Sequence, residues 1–528
     1  MIKNKVKEFF IKNKVVIFWI MLFCIYSVFS VTIYVDSSHY MSYVSIFEGN
    51  TSFAEWDIIR GPVFPFIIYL SRRLFGSSHI SLVLITFIFY AIMIIIIHKL
   101  LSDIVKNIKN KYFKKGIYVL GMCFVIFNPL VFGYYHALLT EFVAMTIAIS
   151  MCYLAWKWID MDFFKNKKCY LIASAVFVFF TVFSWHLKQP YVATTIFPLL
   201  IATVISLFQN HTLKNFGQRG IMLLCCFAFL FTSVKVWNII LVQGAKQNLN
   251  TDRNIVGNFG GQILSGPRNF NVMSSYDDLS DVLDNDIYLS QDEKQLVIEK
   301  IENNEVFFLV DVLSPSNEII DREVIDFKGA KALSFSSALS FVISEFFANP
   351  ASVIDGYKTG YFILADVYKT EKNENGGYKK EFTLGHFREN CSIAGATLRI
   401  NGNIIYMPDE YYERVKEYNT YNHPPMILRS LMSHLFTPAQ YFYSIGIILL
   451  PFLWIIAIAL RFLRRKKTDL FENKENNLLI ILLGFSFMNA LVYVFTANTI
   501  DRYMAVTLVP MIISLIIFIK KAVMLKIR

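Results

Sequence analysis

Residues 80–98 read ISLVLITFIFYAIMIIIIH, and Lys99 follows them directly. A helix needs roughly 20 apolar residues to cross about 30 Å of hydrocarbon, and this run is close to that length without an Asp, Glu, Lys or Arg. Similar runs recur along the 528-residue chain, in which 55% of residues are hydrophobic and 17% are charged. Soluble domains have about 45–50% apolar and about 25% charged residues. The composition therefore predicts a helical polytopic membrane protein and excludes a disordered chain or a small disulfide scaffold.

Ten apolar runs predict about ten spans. The connections on one side of the membrane carry most of the Lys and Arg residues, as in 99–115, 157–168 and 461–474, whereas the short connections opposite are nearly neutral. Positive connections stay in the cytoplasm, so both termini are expected to be cytoplasmic. The predicted spans cover residues 15–35, 80–98, 116–133, 138–156, 170–186, 190–208, 220–242, 438–460, 477–497 and 503–519.

The predicted spans divide the chain into three units. An N-terminal membrane module (1–242) holds seven spans and a first outer loop (36–79), an extracytoplasmic domain covers 243–436, and a C-terminal module (437–528) holds three spans. The middle domain carries 18 basic and 27 acidic residues, although the whole chain has a net charge of +11. The positive charge therefore lies in the membrane modules and is a topology signal rather than a nucleic-acid footprint.

Several segments on the outer side are not expected to span. Residues 62–75 and 335–366 have apolar positions at helical spacing but are interrupted by prolines or charges, which favours helices lying on the membrane surface. The outer domain is expected to be α+β, with acidic helical stretches in 277–306 and β-like runs at 306–313 and 396–407.

Five ionisable residues fall at one depth, in the outer third of the bilayer. Two are acids, Asp36 after the first span and Glu141 one turn inside the fourth. Three are bases: Lys188 in a tight hairpin, Lys235 near the outer end of the seventh span, and Arg502 at the start of the last. A charge costs about 2.5–3.5 kcal/mol at the bilayer centre. We therefore hypothesise a pocket for an anionic lipid headgroup beside a catalytic carboxylate.

Each of these residues also has a purely structural interpretation. Asp36 is also explained as the first solvated residue after a span, and Arg502 beside Asp501 as an ordinary hairpin flank. Lys188 and Lys235 have the form of anchors whose charged ends extend to the interface. The histidines of the outer region lack the spacing of metal ligands.

The order of these residues adds a resemblance. In the first outer loop, Asp36 and Tyr40 precede Trp56-Asp57 and the stretch Arg60-Gly61-Pro62-x-x-Pro65, which leads into an apolar interface helix. Thr140-Glu141, Lys188 and Arg502-Tyr503 follow at the outer ends of later spans. This set resembles the GT-C superfamily of polyprenyl-phosphate-sugar-dependent glycosyltransferases, which includes the lipid A aminoarabinose transferase and the protein O-mannosyltransferases. The resemblance covers roughly 1–240 and 437–528.

The resemblance implies transfer of a sugar from a polyprenyl-phosphate donor to a lipid, glycan or protein acceptor. Asp36 is expected to act as general base, and the anomeric centre to be inverted. The expected location is a cell inner or plasma membrane, with the site on the extracytoplasmic side. The Lys/Ile/Asn-rich residue usage and the lack of outer disulfides favour a bacterium. The expected donor-phosphate ligands are Lys188, Arg502, Arg60 and Lys235, and the residues expected around the sugar are Glu141, Tyr40, Tyr503 and Asp57.

The sequence indicates no cofactor. Some relatives have two adjacent acids in the first outer loop, but here Asp36 is followed by Ser37-Ser38. A divalent ion generally takes more than one carboxylate, so the sequence does not indicate a metal.

Two other functions remain open. A polymerase or ligase using diphosphate-linked glycan carriers would have many spans, but such enzymes usually carry several Arg in a large outer loop, and here that region is net acidic. A transporter without chemistry predicts internal symmetry and ionisable residues near the midplane, neither of which the sequence contains.

Overall fold

A computed structural model describes most of the two membrane modules. The described part comprises residues 14–244 without 57–59, 162, 164–165 and 210–212, and 409–526 without 423, 463–472 and 497–500. Between them it comprises 268–271, 286–303, 307–313, 319–326, 368–372, 378–382 and single residues at 347, 350, 358, 361–362 and 364–365.

Helices make up the described membrane modules, and several begin at a side-chain cap. Asn128 caps one helix by accepting from the N–H groups of Leu130 and Val131, and Asn110 caps the preceding one in the same way. The helices of the first module are α1 Lys14–Ser27, α2 Val35–Phe47, α3 Val63–Phe75, α4 His79–Val105, α5 Lys111–Ile126, α6 Pro129–Tyr135, α7 Thr140–Trp158, α8 Lys167–Leu187, α9 Ala193–Gln209 and α10 Leu213–Gly244. Those after it are α11 Gln291–Glu302, α12 Asp409–Tyr421, α13 Met426–Phe462, α14 Asn473–Thr496 and α15 Leu508–Lys526.

The chain is a helical multi-pass membrane protein. Within the described residues, seven helical segments are long and apolar enough to cross a membrane, and the bent pair α5–α6 makes an eighth. Two predicted spans fall outside this set: α1, which is too short, and α7, which is not among the segments that are both long and apolar enough. The predicted count of ten spans stays a prediction. The seven segments are His79–Val105, Lys167–Leu187, Gln189–Phe208, Gly217–Gly244, Met426–Arg461, Lys474–Val494 and Arg502–Met524.

Two predicted spans do not form single straight helices over the predicted residues. The first was expected to run over 15–35, but α1 ends at Ser27. The chain then runs extended, because the N–H of Thr32 donates to the His136 carbonyl at 2.7 Å and Thr32 pairs with Ala137. The third, expected over 116–133, is broken by a 49° bend between α5 and α6, where Asn128 caps the new helix.

Contacts between α4, α7 and α15 show which of their ends lie together. Near the C-terminal ends of α4 and α7, Asp103 pairs with Lys157 at 2.7 Å, and Lys520 of α15 donates to the Ile104 carbonyl at 2.7 Å. These three helices therefore run in the same direction. The starts of α7 and α15, which carry or adjoin Glu141 and Arg502, lie together at the other end.

The surface helix predicted over 62–75 corresponds to α3. Phe64 and Ile68 on one face are buried, whereas Phe66, Leu70 and Leu74 on the other are exposed. Two arginines end the helix, and Gly76 terminates it with φ +85°. The arrangement fits a helix with one face against the protein and another against lipid.

Strands occur only between the two membrane modules in the described part of the chain. Strands β1 Arg268–Asn271, β2 Phe307–Leu313 and β3 Ile319–Asp326 form an antiparallel sheet in that order, and β4 Tyr368–Lys372 pairs with β5 Tyr378–Phe382. Strand β2 matches the predicted run 306–313, and α11 lies in the predicted stretch 277–306. The predicted run 396–407 and almost all of 335–366 lie outside the described residues.

Candidate functional site

The position of Asp36 is fixed by the start of α2. The Tyr34 N–H donates to Ser37 Oγ at 3.0 Å, and that hydroxyl donates to the Leu138 carbonyl at 2.5 Å. Leu138 lies two residues before Thr140, the first residue of α7, so the helix ends that carry Asp36 and Glu141 are held side by side. Each carboxylate lies in the first turn of its helix, where the helix dipole favours a negative charge.

Asp36 lies between two arginines from distant parts of the chain. Its Oδ2 accepts a hydrogen bond from Arg502 Nη2 at 2.5 Å, and its Oδ1 lies 3.8 Å from Arg60 Nη2. Arg60 Nη1 also donates to the Tyr40 hydroxyl at 3.4 Å, with the guanidinium carbon 5.1 Å from that ring's centre. These contacts join the first loop to the beginning of the last membrane segment.

Glu141 is the most deeply buried charge of this group, with a side chain 1% exposed. Its Oε1 lies 3.7 Å from Arg502 Nε, and its Oε2 accepts a hydrogen bond from the Thr140 hydroxyl at 3.2 Å. The Thr140 hydroxyl also lies 3.5 Å from the hydroxyl of Tyr191. Arg502 therefore contacts both carboxylates, one through Nη2 and the other through Nε.

Lys188 reaches the same place from the turn between α8 and α9. Its Nζ lies 4.1 Å from the centre of the Tyr503 ring, which also has Arg502 Cζ at 5.3 Å. The Tyr503 ring also stacks on Tyr493 of α14, at 4.9 Å and 18°. We call the five ionisable residues Asp36, Arg60, Glu141, Lys188 and Arg502 the Asp36 cluster.

A close backbone approach brings the first loop to this turn. A Cβ atom added to Gly61 would lie 1.9 Å from the carbonyl oxygen of His186. No side chain other than hydrogen fits at that position. Because Gly61 follows Arg60, and His186 lies two residues before Lys188, the glycine lets two cations of the Asp36 cluster come together.

The charges of the Asp36 cluster do not balance. Three cations face two carboxylates, and Asp36, Arg60 and Arg502 are each at most 29% exposed. Burial raises the pKa of Asp36, but Arg502, Lys188 and Arg60 together outweigh it and hold that pKa below its ordinary value. Burial lowers the pKa of Lys188, but Tyr503 and Glu141 outweigh it and raise that pKa. Both groups are therefore ionised at neutral pH, and an added anion would compensate the excess positive charge.

Most of the predicted site residues that the structure describes are brought together, but Lys235 is not among them. Lys235 is exposed on α10, with its Nζ 4.8 Å from the ring of Phe231 one turn earlier, and it does not join the Asp36 cluster. Asp57 lies outside the described residues. The sequence reasoning missed Tyr191 and Tyr493, which lie inside apolar runs as many lipid-facing tyrosines do.

A separate cavity of about 450 Å³ lies at the same end of the bundle. It is bounded by the start of α4 and by α12. The ring of His79 packs against Tyr418, and the Tyr418 hydroxyl donates to the Ser27 carbonyl at 2.6 Å. Among the described residues, no three His, Cys, Asp or Glu side chains are grouped as metal ligands would be.

Comparison with known proteins adds no assignment. No protein-family model, curated protein or solved structure matches this chain.

Proposed function

We propose that the chain is a GT-C-type membrane glycosyltransferase, which moves a sugar from a polyprenyl-phosphate donor to an extracytoplasmic acceptor with inversion. The observation that carries this proposal is the placement of Asp36, whose carboxylate lies 2.5 Å from Arg502 and 3.8 Å from Arg60, close to Lys188. Residues from four separate parts of the chain supply one carboxylate base and an excess of cations. Transfer from a lipid phosphate needs both.

The cations are assigned to stabilising the leaving group. When the bond between the anomeric carbon and the phosphate oxygen breaks, negative charge grows on the lipid phosphate. Lys188 and Arg502 are fixed in a partly buried place, where oriented cations stabilise such charge more strongly than water does. Arg60, which is held by Tyr40, is a further phosphate ligand. Lys235 is exposed on α10, where its Nζ lies over the ring of Phe231, and is not assigned that role.

The carboxylate of Asp36 is assigned to activating the nucleophile, which is the acceptor hydroxyl. The acceptor hydroxyl attacks the anomeric carbon from the face opposite the phosphate, and its proton passes to Asp36. In the free protein Arg502 holds Asp36 as a weakly basic ion pair. Donor phosphate competes for the same guanidinium, so donor binding weakens that ion pair and raises the basicity of Asp36. The base is therefore most active when the donor is in place.

The proposal is tested with purified protein and a panel of radiolabelled decaprenyl-phosphate monosaccharides. The wild type is expected to release bare decaprenyl phosphate in the presence of membrane acceptors, and Asp36→Asn to lose at least 100-fold in rate. Asp160→Asn, which alters an exposed carboxylate paired with Lys474 at 2.9 Å, is the matched control and should retain the rate.

Three outcomes separate the candidate functions. Near-normal transfer by Asp36→Asn would remove the base assignment. Turnover of diphosphate-linked glycans alone would favour a polymerase or ligase. Movement of lipid-linked sugar across the bilayer without bond cleavage would favour a transporter.

A further inference from the structure

Buried polar atoms without a hydrogen-bond partner in the described part of the chain include Arg60 Nε of the Asp36 cluster and a pair formed by Oε1 of Glu141 and the hydroxyl of Tyr493. Glu141 Oε1 lies 3.7 Å from Arg502 Nε. Tyr493 is 0% exposed. Almost all buried polar atoms in folded proteins have a partner, so an orphaned pair at one place requires an explanation.

The two orphaned groups are neighbours. Tyr493 stacks on Tyr503 at 4.9 Å, and Lys188 lies over that same ring. Tyr493 interacts electrostatically with both Glu141 and Tyr503, and Tyr191 interacts with Glu141 and Tyr493. An ordinary core tyrosine is different: Tyr90, also 0% exposed, donates its hydroxyl to the Ile126 carbonyl at 2.8 Å.

The hydrogen-bonding capacity of Glu141 Oε1 and the Tyr493 hydroxyl limits the kinds of ligand that they can bind. Glu141 Oε1 can only accept a hydrogen bond, whereas the Tyr493 hydroxyl can donate or accept. A ligand hydroxyl satisfies both, but a ligand carboxylate would be repelled by Glu141. A site whose buried polar groups await a ligand hydroxyl rejects an analogue that lacks it, because those groups are then left unpaired.

We propose that Glu141 and Tyr493 form a subsite that hydrogen-bonds the hydroxyls of an uncharged donor sugar, and that it discriminates against uronic acids. The inference rests on the proposed function, since the phosphate of that donor is assigned to Lys188 and Arg502. The sugar then lies between the phosphate ligands and the stacked tyrosines, with its anomeric carbon toward Asp36. Tyr493 contributes recognition rather than proton transfer.

The test compares Tyr493→Phe with Tyr90→Phe. Both changes remove one buried hydroxyl and keep the ring, but only Tyr90 loses a hydrogen bond made in the free protein. We measure the Tm of the full chain in detergent alone, with decaprenyl phosphate, and with decaprenyl phosphate carrying glucose, mannose, galactose or glucuronic acid. In the wild type, at least one uncharged sugar should raise Tm above the value with bare lipid phosphate, and glucuronic acid should not.

The two variants should behave in opposite ways. Tyr493→Phe should keep the Tm of the free protein and the shift caused by bare decaprenyl phosphate, but lose the additional shift caused by the sugar. Tyr90→Phe should lower the Tm of the free protein and keep the additional shift. The inference is overturned if Tyr493→Phe retains the sugar-dependent shift, if its free form is destabilised like Tyr90→Phe, or if no uncharged sugar exceeds the bare lipid. Absence of any shift with bare decaprenyl phosphate would instead count against the proposed function.

Discussion

The carboxylate of Asp36, the proposed base, already has two cationic partners in the free protein, Arg502 at 2.5 Å and Arg60 at 3.8 Å. Burial raises the pKa of Asp36, but the charges of Arg502, Lys188 and Arg60 lower it further than burial raises it. A carboxyl pKa that is lower in the folded than in the unfolded state stabilises the fold at neutral pH, and that stabilisation is lost as the pH falls through the folded-state pKa. Under the proposed function, the same residue affects both stability and rate.

A pH profile should separate the free protein from its donor complex. The acidic limb of kcat/KM reports the free protein, so it should lie below the pH at which an aspartate ordinarily titrates, because the neighbouring cations lower the pKa of Asp36. The limb of kcat reports the donor complex, in which phosphate competes for Arg502, so it should lie at higher pH. Steady-state rates with a saturating acceptor measure both. Limbs at the same pH would contradict the proposed competition.

Arg502→Lys tests whether charge alone suffices at that position. The guanidinium contacts Asp36 through Nη2 and Glu141 through Nε, and a lysine ammonium cannot make both contacts in that planar geometry. We expect kcat/KM for donor to fall at least 10-fold, with expression unchanged. Arg73→Lys on α3 is the control, because Arg73 is exposed and contacts Tyr69 of its own helix. Equal rates for Arg502→Lys and wild type would mean that a single positive charge is enough.

At the scale of elements, the sequence predicted most of the long apolar helices but not where they break. The run 80–98 predicts α4 because it contains no proline, glycine or charged residue that would interrupt a membrane helix. The third run hides a break at Asn128-Pro129, a cap followed by a proline at the first helical position, which is a readable signal. The early end of α1 is not readable, because it depends on pairing of Thr32 with Ala137, over a hundred positions away.

Gly61→Ala should disturb the meeting of the first loop with the turn after α8. The added Cβ would lie 1.9 Å from the His186 carbonyl oxygen, so the backbone must move and take Arg60 with it. We expect a lower Tm and at least a 10-fold loss of transfer. Gly116→Ala is the matched control: it lies within α5 with nothing within 4 Å of the added atom, and it should stabilise by up to about 1 kcal/mol. Thermal unfolding and the transfer assay measure both variants.

At the scale of the whole molecule, the ends of the bundle depend on charges from distant segments. The sequence singled out Asp36, Glu141, Lys188 and Arg502 by their depth, because a charge inside the membrane is costly, and these four side chains lie close together. Lys235 satisfied the same criterion but lies on an exposed face of α10. Depth alone therefore does not establish contact, because the rotation of each helix about its axis depends on packing that no local pattern records.

The opposite end of the bundle is stabilised by a buried ion pair. Lys520 of α15 donates to Glu475 of α14, and both side chains are less than 10% exposed. Glu475→Gln would leave the Lys520 charge without its carboxylate, which typically costs about 3–5 kcal/mol. We expect a large fall in Tm, whereas Asp160→Asn at the exposed pair should change stability by less than about 1 kcal/mol. A small effect of Glu475→Gln would mean that the Ile104 carbonyl alone sustains the ammonium.

The hydrogen bond between Arg502 and Asp36 joins positions 466 residues apart. The helices between the two residues are therefore synthesised before this ion pair can form. A nascent polypeptide released before Arg502 retains many apolar helices but lacks one cation of the Asp36 cluster. Under the proposed function such a partly made chain cannot transfer sugar, because Asp36 and that cation are never brought together.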